Sequence, residues 1–328
     1  AHAVYVMGVK NSVRTVLIEK LALPFMNRFL KFEKDVAKWP GAIHSEPESP
    51  ARFDIPIEAL KRAQRGEGFM KRGYPVNFIL SIMSNMRKSV RSLVKNPQPS
   101  RKIAPPEFFE DLVDYAKSLG VSHVGFAKLS PKHVFQEMAV LYGNAIVLAM
   151  EMDKERIFKA PSFETMTMIM KTYDRLGIAS NKIAEFLREK GFGAHAGHPL
   201  GGMALYPPLG QMSGIGFHGR HGLIITPEFG PRIRLTAVFT SIQNLPYQEE
   251  NEHAWIREYC ESCLICVKMC PPKAILKTPI SHKDGKVTYV DRTKCFPYFA
   301  DFYGCSVCIR VCPFSRGNYS KIKKRFIS

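Results

Sequence analysis

CESCLICVKMCP, residues 260–271, places four cysteines at the spacing C-x-x-C-x-x-C-x-x-x-C and follows the last of them with proline. A shorter run, CSVCIRVCP at residues 305–313, repeats the last three cysteines and the proline. In bacterial two-cluster ferredoxins this spacing lets three cysteines of a run hold one cubane while the fourth ligates the other. The sequence therefore predicts two 4Fe-4S clusters and the transfer of single electrons at low potential.

The second run lacks its first cysteine, because Phe302 stands at that position and Cys295 is the cysteine that remains upstream. Crossed ligation then predicts two sets: Cys260, Cys263, Cys266 and Cys312 for cluster one, and Cys295, Cys305, Cys308 and Cys270 for cluster two. The eight cysteines of the chain fill two clusters with none left over. A third cysteine two residues after a C-x-x-C pair is not zinc spacing. Haem attachment would need histidine where Val267 and Ile309 stand.

The charge of the chain is strongly basic and unevenly spread. Residues 1–100 hold 17 Lys and Arg against 8 Asp and Glu, residues 101–250 hold 16 against 15, and residues 251–328 hold 14 against 6. Basic surfaces attract acidic redox proteins, anionic membranes or nucleic acid. We expect a low-potential electron-donor protein as partner, with a membrane or a larger complex as the alternative contact of the basic N-terminal helices. Nucleic acid is less favoured, because the chain shows no recognised RNA module.

The sequence shows no apolar stretch of the roughly 20 residues that a bilayer span requires. Neither a twin-arginine segment nor an apolar signal core opens the chain. These features predict a cytoplasmic protein, in which clustered thiols stay reduced and serve as ligands. A peripheral position at the inner membrane face is the alternative.

The pattern divides the chain into three parts: a basic helical extension (1–100), an α/β or α+β domain (101–250) and the ferredoxin-like domain (251–328). In the extension, apolar positions predict amphipathic helices over 1–35 and 76–94, with a proline-rich connector at 39–56. In the central domain we expect helices over 106–119, 134–142 and 162–190, the last kinked at Gly177. Strands are expected over 121–127, 144–150, 222–226 and 233–241.

Gly214, Gly216 and Gly219 match G-x-G-x-x-G, but the flanking sequence does not fit a dinucleotide site. The segment before them, YPPLG at 206–210, cannot be an interior strand, and no helix follows. The glycines predict instead a backbone that passes close to another surface or to a flat ligand.

The stretch GIGFHGRHGLIITPEFGPRIRLTAVFTSIQNLP, residues 214–246, resembles the matching segment of corrinoid-dependent reductive dehalogenases and, more distantly, of epoxyqueuosine reductases. The preceding helix with Tyr173, the turn at 191–194 and the paired cysteine motifs with a displaced ligand resemble the same superfamily. This resemblance covers about residues 105–316 and implies a nitroreductase-like domain that holds base-off cobalamin beside a two-cluster ferredoxin domain.

The resemblance also implies roles for particular residues. Tyr173 is the candidate proton donor, and Arg220 is the candidate cation that stabilises its anion. Residues implied to contact the corrinoid are Gly214, Gly216, Phe217, His218, Gly219, His221 and Thr226. Alternatives remain open for each: Tyr173 as a surface residue of its helix, and Arg220 as a salt-bridge partner or a contact to a corrinoid side chain.

Departures from the family leave the reaction open. The segment HAGHPLGGMAL, residues 195–205, lacks both the aspartate and the asparagine that the two families place there, so His195 and His198 are candidate ligands or acids. Met166, Met168 and Met170 could line a pocket or form core. The sequence thus favours a cobalamin-dependent iron–sulfur reductase of a small organic substrate. The alternative is a non-catalytic electron-transfer subunit docked on a membrane or a larger redox complex.

Overall fold

The protein is described from a computed structural model that covers residues 23–65, 67–68, 76–283 and 285–328. The part of the first predicted helix before residue 23 lies outside the described residues. The α-helices are α1 (Leu23–Asp35), α2 (Ile55–Gln64), α3 (Val76–Arg91), α4 (Glu107–Ser118), α5 (Lys154–Phe158), α6 (Phe163–Glu189), α7 (Tyr206–Met212), α8 (Ile256–Cys263), α9 (Ile265–Met269), α10 (Arg292–Asp301), α11 (Val307–Val311), α12 (Pro313–Arg316) and α13 (Tyr319–Ile327). The strands are β1 (Ile43–His44), β2 (His123–Lys128), β3 (Ala139–Val140), β4 (Asn144–Glu151), β5 (Ala194–Ala196), β6 (Phe217–His218), β7 (Ile224–Ile225), β8 (Ile233–Thr240), β9 (Ile275–Ser281) and β10 (Val287–Val290).

A four-stranded sheet in the order β2-β4-β8-β5 forms the centre of the molecule, and its neighbouring strands are antiparallel. The continuous apolar run of β4 is explained by burial on both faces. Ile146 and Leu148 enter the core under α4 and α6, while Ala145 and Val147 enter the core on the other face. A strand covered on both sides has no polar face to alternate with. The mixed helix-and-sheet class predicted from sequence is confirmed.

Helix α6 is the longest helix that the structure describes, and it carries the candidate proton donor Tyr173. It begins at Ser162, whose hydroxyl accepts a hydrogen bond from the Thr165 amide, as an N-cap does. The helix runs unbroken through Gly177, where a kink was expected. A Cβ built on Gly177 would stand 2.4 Å from Nε2 of His198. Glycine is therefore needed at this point for close packing of the imidazole ring, not for bending.

The predicted helix over 134–142 is wrong. The segment instead holds the short strand β3, which pairs with β1 of the N-terminal part, and Glu137 adopts a left-handed backbone with φ of 63°. Val134, Met138 and Val140 are buried, so the apolar spacing that imitates a helix is satisfied by extended chain packed against the sheet. Pairing with a segment almost 100 residues earlier decided this conformation, and local periodicity could not show it.

The N-terminal part packs directly on α6. Met26, Phe29 and Met86 share one apolar cluster with Met166 and Met170, so these two methionines are core in this structure. A buried ion pair between Arg52 and Glu33, with Asp54 on the other guanidinium nitrogen at 2.9 Å, anchors the same region. Within the described residues, no helix is both long and apolar enough to cross a membrane.

Candidate metal centres

The first group of thiols forms where α8, α9 and the start of α12 meet. Cys260 and Cys263 lie on α8, Cys266 lies on α9, and Cys312 precedes α12. They line a small depression together with Arg220 and, among others, His221, Leu264 and Phe314. The structure thus brings together the four cysteines that the sequence assigns to cluster one.

Electrostatics within this group favours a bound cation. Burial, and then the neighbouring thiols Cys260 and Cys263, raises the pKa of Cys266 to about 12. Burial raises the pKa of Cys260 to about 11, although the backbone amide of Arg220 donates a hydrogen bond to its sulfur. Thiols that resist ionisation by themselves become thiolates when iron supplies positive charge among them. The site chemistry therefore fits an iron–sulfur cluster.

The second group is formed by Cys270, Cys295, Cys305 and Cys308. The pKa of Cys308 is raised to about 12, mainly by burial. The remaining contributions come from the charges of Cys305, Cys266, Cys295 and Cys270. Cys308 also packs against the apolar cluster that contains Cys266 of the first group, so the two groups adjoin each other. Cys295 is supplied by α10, while Phe302 points into a stack with Tyr298 whose ring centroids are 4.2 Å apart.

A backbone repeat positions both groups. Leu264 and Ser306 follow equivalent cysteines, Cys263 and Cys305, and both adopt left-handed φ values of 51° and 66°. Each then begins a five-residue helix, α9 or α11, which carries the next cysteine. A left-handed residue costs roughly 1–2 kcal/mol in a chain of L-residues. The repeated strain turns the chain around each thiol group. In the described part of the chain, no three His, Cys, Asp or Glu side chains are spaced to hold a single metal ion.

Arg220 and His221 lie against the first thiol group. The Leu223 amide donates to Nδ1 of His221 at 3.2 Å, which assigns the ring proton to Nε2. That Nε2 and the Nε of Arg220 are both buried without a hydrogen-bond partner among the described residues. Burial, then the charge of His218, lowers the pKa of His221 to about 4, so the ring is neutral at neutral pH. Two buried donors without partners fit the acceptor sulfurs of a negatively charged cluster.

The glycine turn, in contrast, is filled by the chain itself. A Cβ on Gly214 would stand 1.6 Å from Oε1 of Gln248, and one on Gly216 would stand 2.2 Å from the carbonyl oxygen of Ile225. The close approach that the glycines predicted is therefore to strand β7 and to Gln248. Gly219 likewise packs on Ile225.

The remaining residues of this turn also have contacts within the chain. Phe217 is buried, and the guanidinium carbon of Arg257 lies 5.4 Å from its ring centroid. His218 stacks on Tyr289 of β10 and bonds Oε1 of Gln211 at 2.8 Å. The hydroxyl of Thr226 bonds the backbone of its own turn.

Tyr173 lies on α6 with its ring half-buried between two apolar clusters, one of which includes Cys308. The cation at this ring is Arg234 of β8, whose guanidinium carbon is 4.8 Å from the ring centroid. Sequence reasoning missed Arg234 and paired Tyr173 with Arg220 instead. An arginine inside a largely buried strand was the available signal, although it does not identify the contact.

His195 and His198 are both buried, the ring of His195 beside Phe239 and the ring of His198 against Gly177 of α6. Each Nδ1 accepts a backbone N–H, from Leu141 at 3.4 Å and from Leu200 at 3.1 Å. Both Nε2 atoms are therefore protonated, and neither has a partner among the described residues. Burial lowers both pKa values to about 3, so neither ring is a cationic acid at neutral pH.

Comparison with known proteins supports the cluster-binding part directly. Residues 259–315 match the family model of the 4Fe-4S dicluster domain. The two 4Fe-4S clusters predicted from the cysteine spacing are thereby confirmed as the cofactors of this part.

The chain is also similar to two kinds of reductase. It is 33% identical over 184 residues to the tetrachloroethene reductive dehalogenase of Sulfurospirillum multivorans (53% of this chain, 36% of that protein). It is 30% identical over 254 residues to that of Desulfitobacterium hafniense (71% and 43%). An epoxyqueuosine reductase of Listeria monocytogenes is 31% identical over 117 residues (34% and 29%). The chain spans less than half the length of each of these relatives.

A solved catabolic reductive dehalogenase has the same fold, with a TM-score of 0.67 over 88% of this chain and 45% of that chain at 16% identity. The resemblance inferred from residues 214–246 and the cysteine motifs is confirmed.

Proposed function

We propose that this chain, a homologue of the reductive dehalogenases and epoxyqueuosine reductases, is an iron–sulfur oxidoreductase in which two clusters deliver single electrons to a centre in the α+β domain. The observation that carries the proposal is the adjacency of the two thiol groups. Cys308 of the second group packs against the same apolar cluster that contains Cys266 of the first. The first group also adjoins Arg220 and His221 of the turn that follows Gly219. This adjacency would let electrons pass between the two clusters and toward Arg220 and His221.

A corrinoid is the acceptor that the relationship to dehalogenases implies. When bound, it would supply a low-potential metal for reductive cleavage of a bond in the substrate. The fit rests on buried polar atoms at α6 that have no hydrogen-bond partner within the described part of the chain. These are Nε2 of His198 and Oδ1 of Asn181. A macrocycle rimmed with amide groups offers both donors and acceptors to such atoms.

His198, Asn181 and Arg234 are therefore the residues that we infer would hold it. The glycine turn is a weaker candidate, because its faces are already filled by Gln248 and β7.

Proton delivery is assigned to Tyr173, which is the acid that the superfamily resemblance implies. Its neutral hydroxyl would donate the proton as the substrate carbon gains electrons. Arg234 would stabilise the developing negative charge through its position over the ring. The substrate proposed is a small organic molecule, organohalide-like or another reducible metabolite.

One observation favours the non-catalytic alternative. Met26, Phe29 and Met86 of the N-terminal part pack in the same cluster as Tyr173, which restricts the space on that side of α6. A chain whose catalytic face is closed in this way would remain an electron relay.

Metal quantitation after anaerobic reconstitution with iron, sulfide and cobalamin separates the two functions. The reductase requires about eight irons per chain together with bound cobalt. The double variant His198→Phe/Asn181→Leu should lose cobalt but keep its iron. Full iron with no cobalt in the wild type would contradict the corrinoid proposal and leave the relay.

A further inference from the structure

Helix α13 has two chemically different faces. Tyr319, Ile322 and Phe326 are spaced i, i+3 and i+7, so they share one side. On another side, Lys321, Lys324 and Arg325 are spaced i, i+3 and i+4, and all three are exposed. We call these three cations the α13 basic face. The helix contains no acidic residue, and within the described part of the chain none of the three cations forms an ion pair.

The apolar side of α13 packs against the first thiol group through one layer of aromatic rings. The Phe326 ring is 5.4 Å from the ring of Tyr259, and Tyr259 is hydrogen-bonded to Cys263. Tyr319 accepts a hydrogen bond from Trp255 Nε1 at 2.9 Å and also bonds His253. Cys260 and Cys312 lie in the same apolar cluster as Tyr319. The α13 basic face is therefore held rigidly next to cluster one.

A positively charged surface beside a redox centre is suited to binding an electron-carrier protein. Complementary charge speeds diffusional encounter and orients the two proteins, while it adds little to the lifetime of the complex. Electron carriers need this combination, because they must bind briefly and in one orientation. Glu252 lines the same surface depression as Lys323 and Lys324, and Glu228 also lies near Tyr319. Two carboxylates do not neutralise three exposed cations and Lys323.

We propose that the α13 basic face is the docking surface for a small acidic electron-carrier protein that reduces cluster one. The inference rests on the proposed function, since it names the partner class and entry point of the electrons. An anionic membrane is the competing occupant of a basic amphipathic helix, and it is treated as an outcome of the test. The structure favours the protein carrier because the apolar side of α13 is occupied by Tyr259 and Trp255 and so is not free to enter lipid.

The test uses the full chain with reconstituted clusters and an acidic plant-type ferredoxin, reduced beforehand, as the probe. Cluster reduction is followed by stopped-flow absorbance as a function of salt. The second-order rate constant should fall about tenfold or more as salt rises from low to high concentration. The variant Lys321→Glu/Lys324→Glu/Arg325→Glu should be slowed at least about tenfold at low salt. Its rate of reduction by dithionite should be unchanged.

A matched control reverses three exposed cations of the N-terminal part, Arg87→Glu/Arg91→Glu/Lys95→Glu, with the same change of charge. This control should retain the wild-type rate and salt dependence. The docking proposal is overturned by a salt-independent wild-type rate, by an unslowed α13 variant, or by equal slowing of both variants. The proposal would also be overturned if the α13 variant lost binding to anionic vesicles while its rate of reduction by ferredoxin stayed unaltered. Each of these results, obtained with full iron content, leaves the iron–sulfur reductase itself standing.

Discussion

The guanidinium of Arg234 lies over the ring of Tyr173, with 4.8 Å between the guanidinium carbon and the ring centroid. The two residues come from different elements, α6 and β8, and meet where the helix crosses the sheet. The Nε of Arg234 is buried without a partner among the described residues. A fixed cation at the face of a tyrosine is an arrangement that stabilises negative charge as the hydroxyl gives up its proton.

Tyr173→Phe should lower turnover by roughly a hundredfold or more, because general acids typically contribute that much. Arg234→Met should also lower turnover, and Arg234→Lys should recover part of the loss. Turnover is measured on a panel of small organohalides with the iron and cobalt contents of each variant. Tyr115→Phe, on α4, is the control and should behave as the wild type. Unchanged turnover of Tyr173→Phe would remove the proton-donor role.

His221→Phe should lower the reduction potential of one cluster by roughly tens of millivolts. The neutral ring offers its Nε2 proton next to the first thiol group, and a donor to cluster sulfur stabilises the more negative reduced state. A redox titration monitored by electron paramagnetic resonance measures both potentials. The exposed His282→Phe is the control. An unaltered pair of potentials in His221→Phe would show that the ring does not bond the cluster.

The buried histidines should make the protein less stable in acid. Burial lowers the folded-state pKa of His195 and of His198 to about 3, whereas the unfolded chain takes up a proton at each near 6.5. The unfolded state therefore binds more protons between these values, and stability falls as pH drops from about 6.5 toward 3. The loss is about 1.4 kcal/mol per pH unit for each ring.

Urea unfolding followed by tryptophan fluorescence at about pH 7.5 and about pH 5.5 measures this slope. His198→Gln should reduce the dependence of the unfolding free energy on pH, while the exposed His282→Gln should leave it unchanged. A slope that does not respond to His198→Gln would mean that the ring is not held neutral in the folded protein.

Arg52→Met should destabilise the protein by about 3–5 kcal/mol, because it leaves Glu33 charged and buried without its partner. The two side chains are 8% and 2% exposed, and the pair ties α1 to the segment before α2. Arg52→Met/Glu33→Leu should be less damaging than the single change. The exposed pair Lys61–Glu58 is the control, and Lys61→Met should cost under about 1 kcal/mol. Equal effects of Arg52→Met and Lys61→Met on urea unfolding would contradict the account.

The cluster domain could be predicted from sequence more completely than the rest of the chain, because its ligands are identified by the local spacing of the cysteines. Cysteines three residues apart, followed by Cys-Pro, leave few alternatives, and even the displaced Cys295 could be found by elimination. The long buried strand β4 and helix α6 were also predictable, since both carry continuous signals. Contacts between segments that are distant in the sequence could not be predicted. Residues 134–142 became extended by pairing with β1, and Arg234 reached Tyr173 across 61 positions of sequence. No local pattern encodes either contact.

The glycine turn shows a second limit of sequence reasoning. Three closely spaced glycines correctly indicated a tight approach, but a glycine does not reveal what approaches it. In the structure the neighbours are Gln248 and the backbone of Ile225. Arg220 and His221 then turn toward the first thiol group, a direction that only the pairing of β6 with β7 determines.

Low-temperature electron paramagnetic resonance of the dithionite-reduced protein, with iron counted on the same sample, tests the paired-cluster arrangement most directly. With both clusters in place, the protein should show about eight irons and about two spins per chain, with a signal broadened by interaction between neighbouring clusters. Cys295→Ala should leave about four irons and a single narrow signal, while Ser262→Ala should match the wild type. A wild-type protein with a single isolated spin, or a Cys295→Ala variant that keeps both interacting spins, would contradict the two-cluster path on which the proposed function depends.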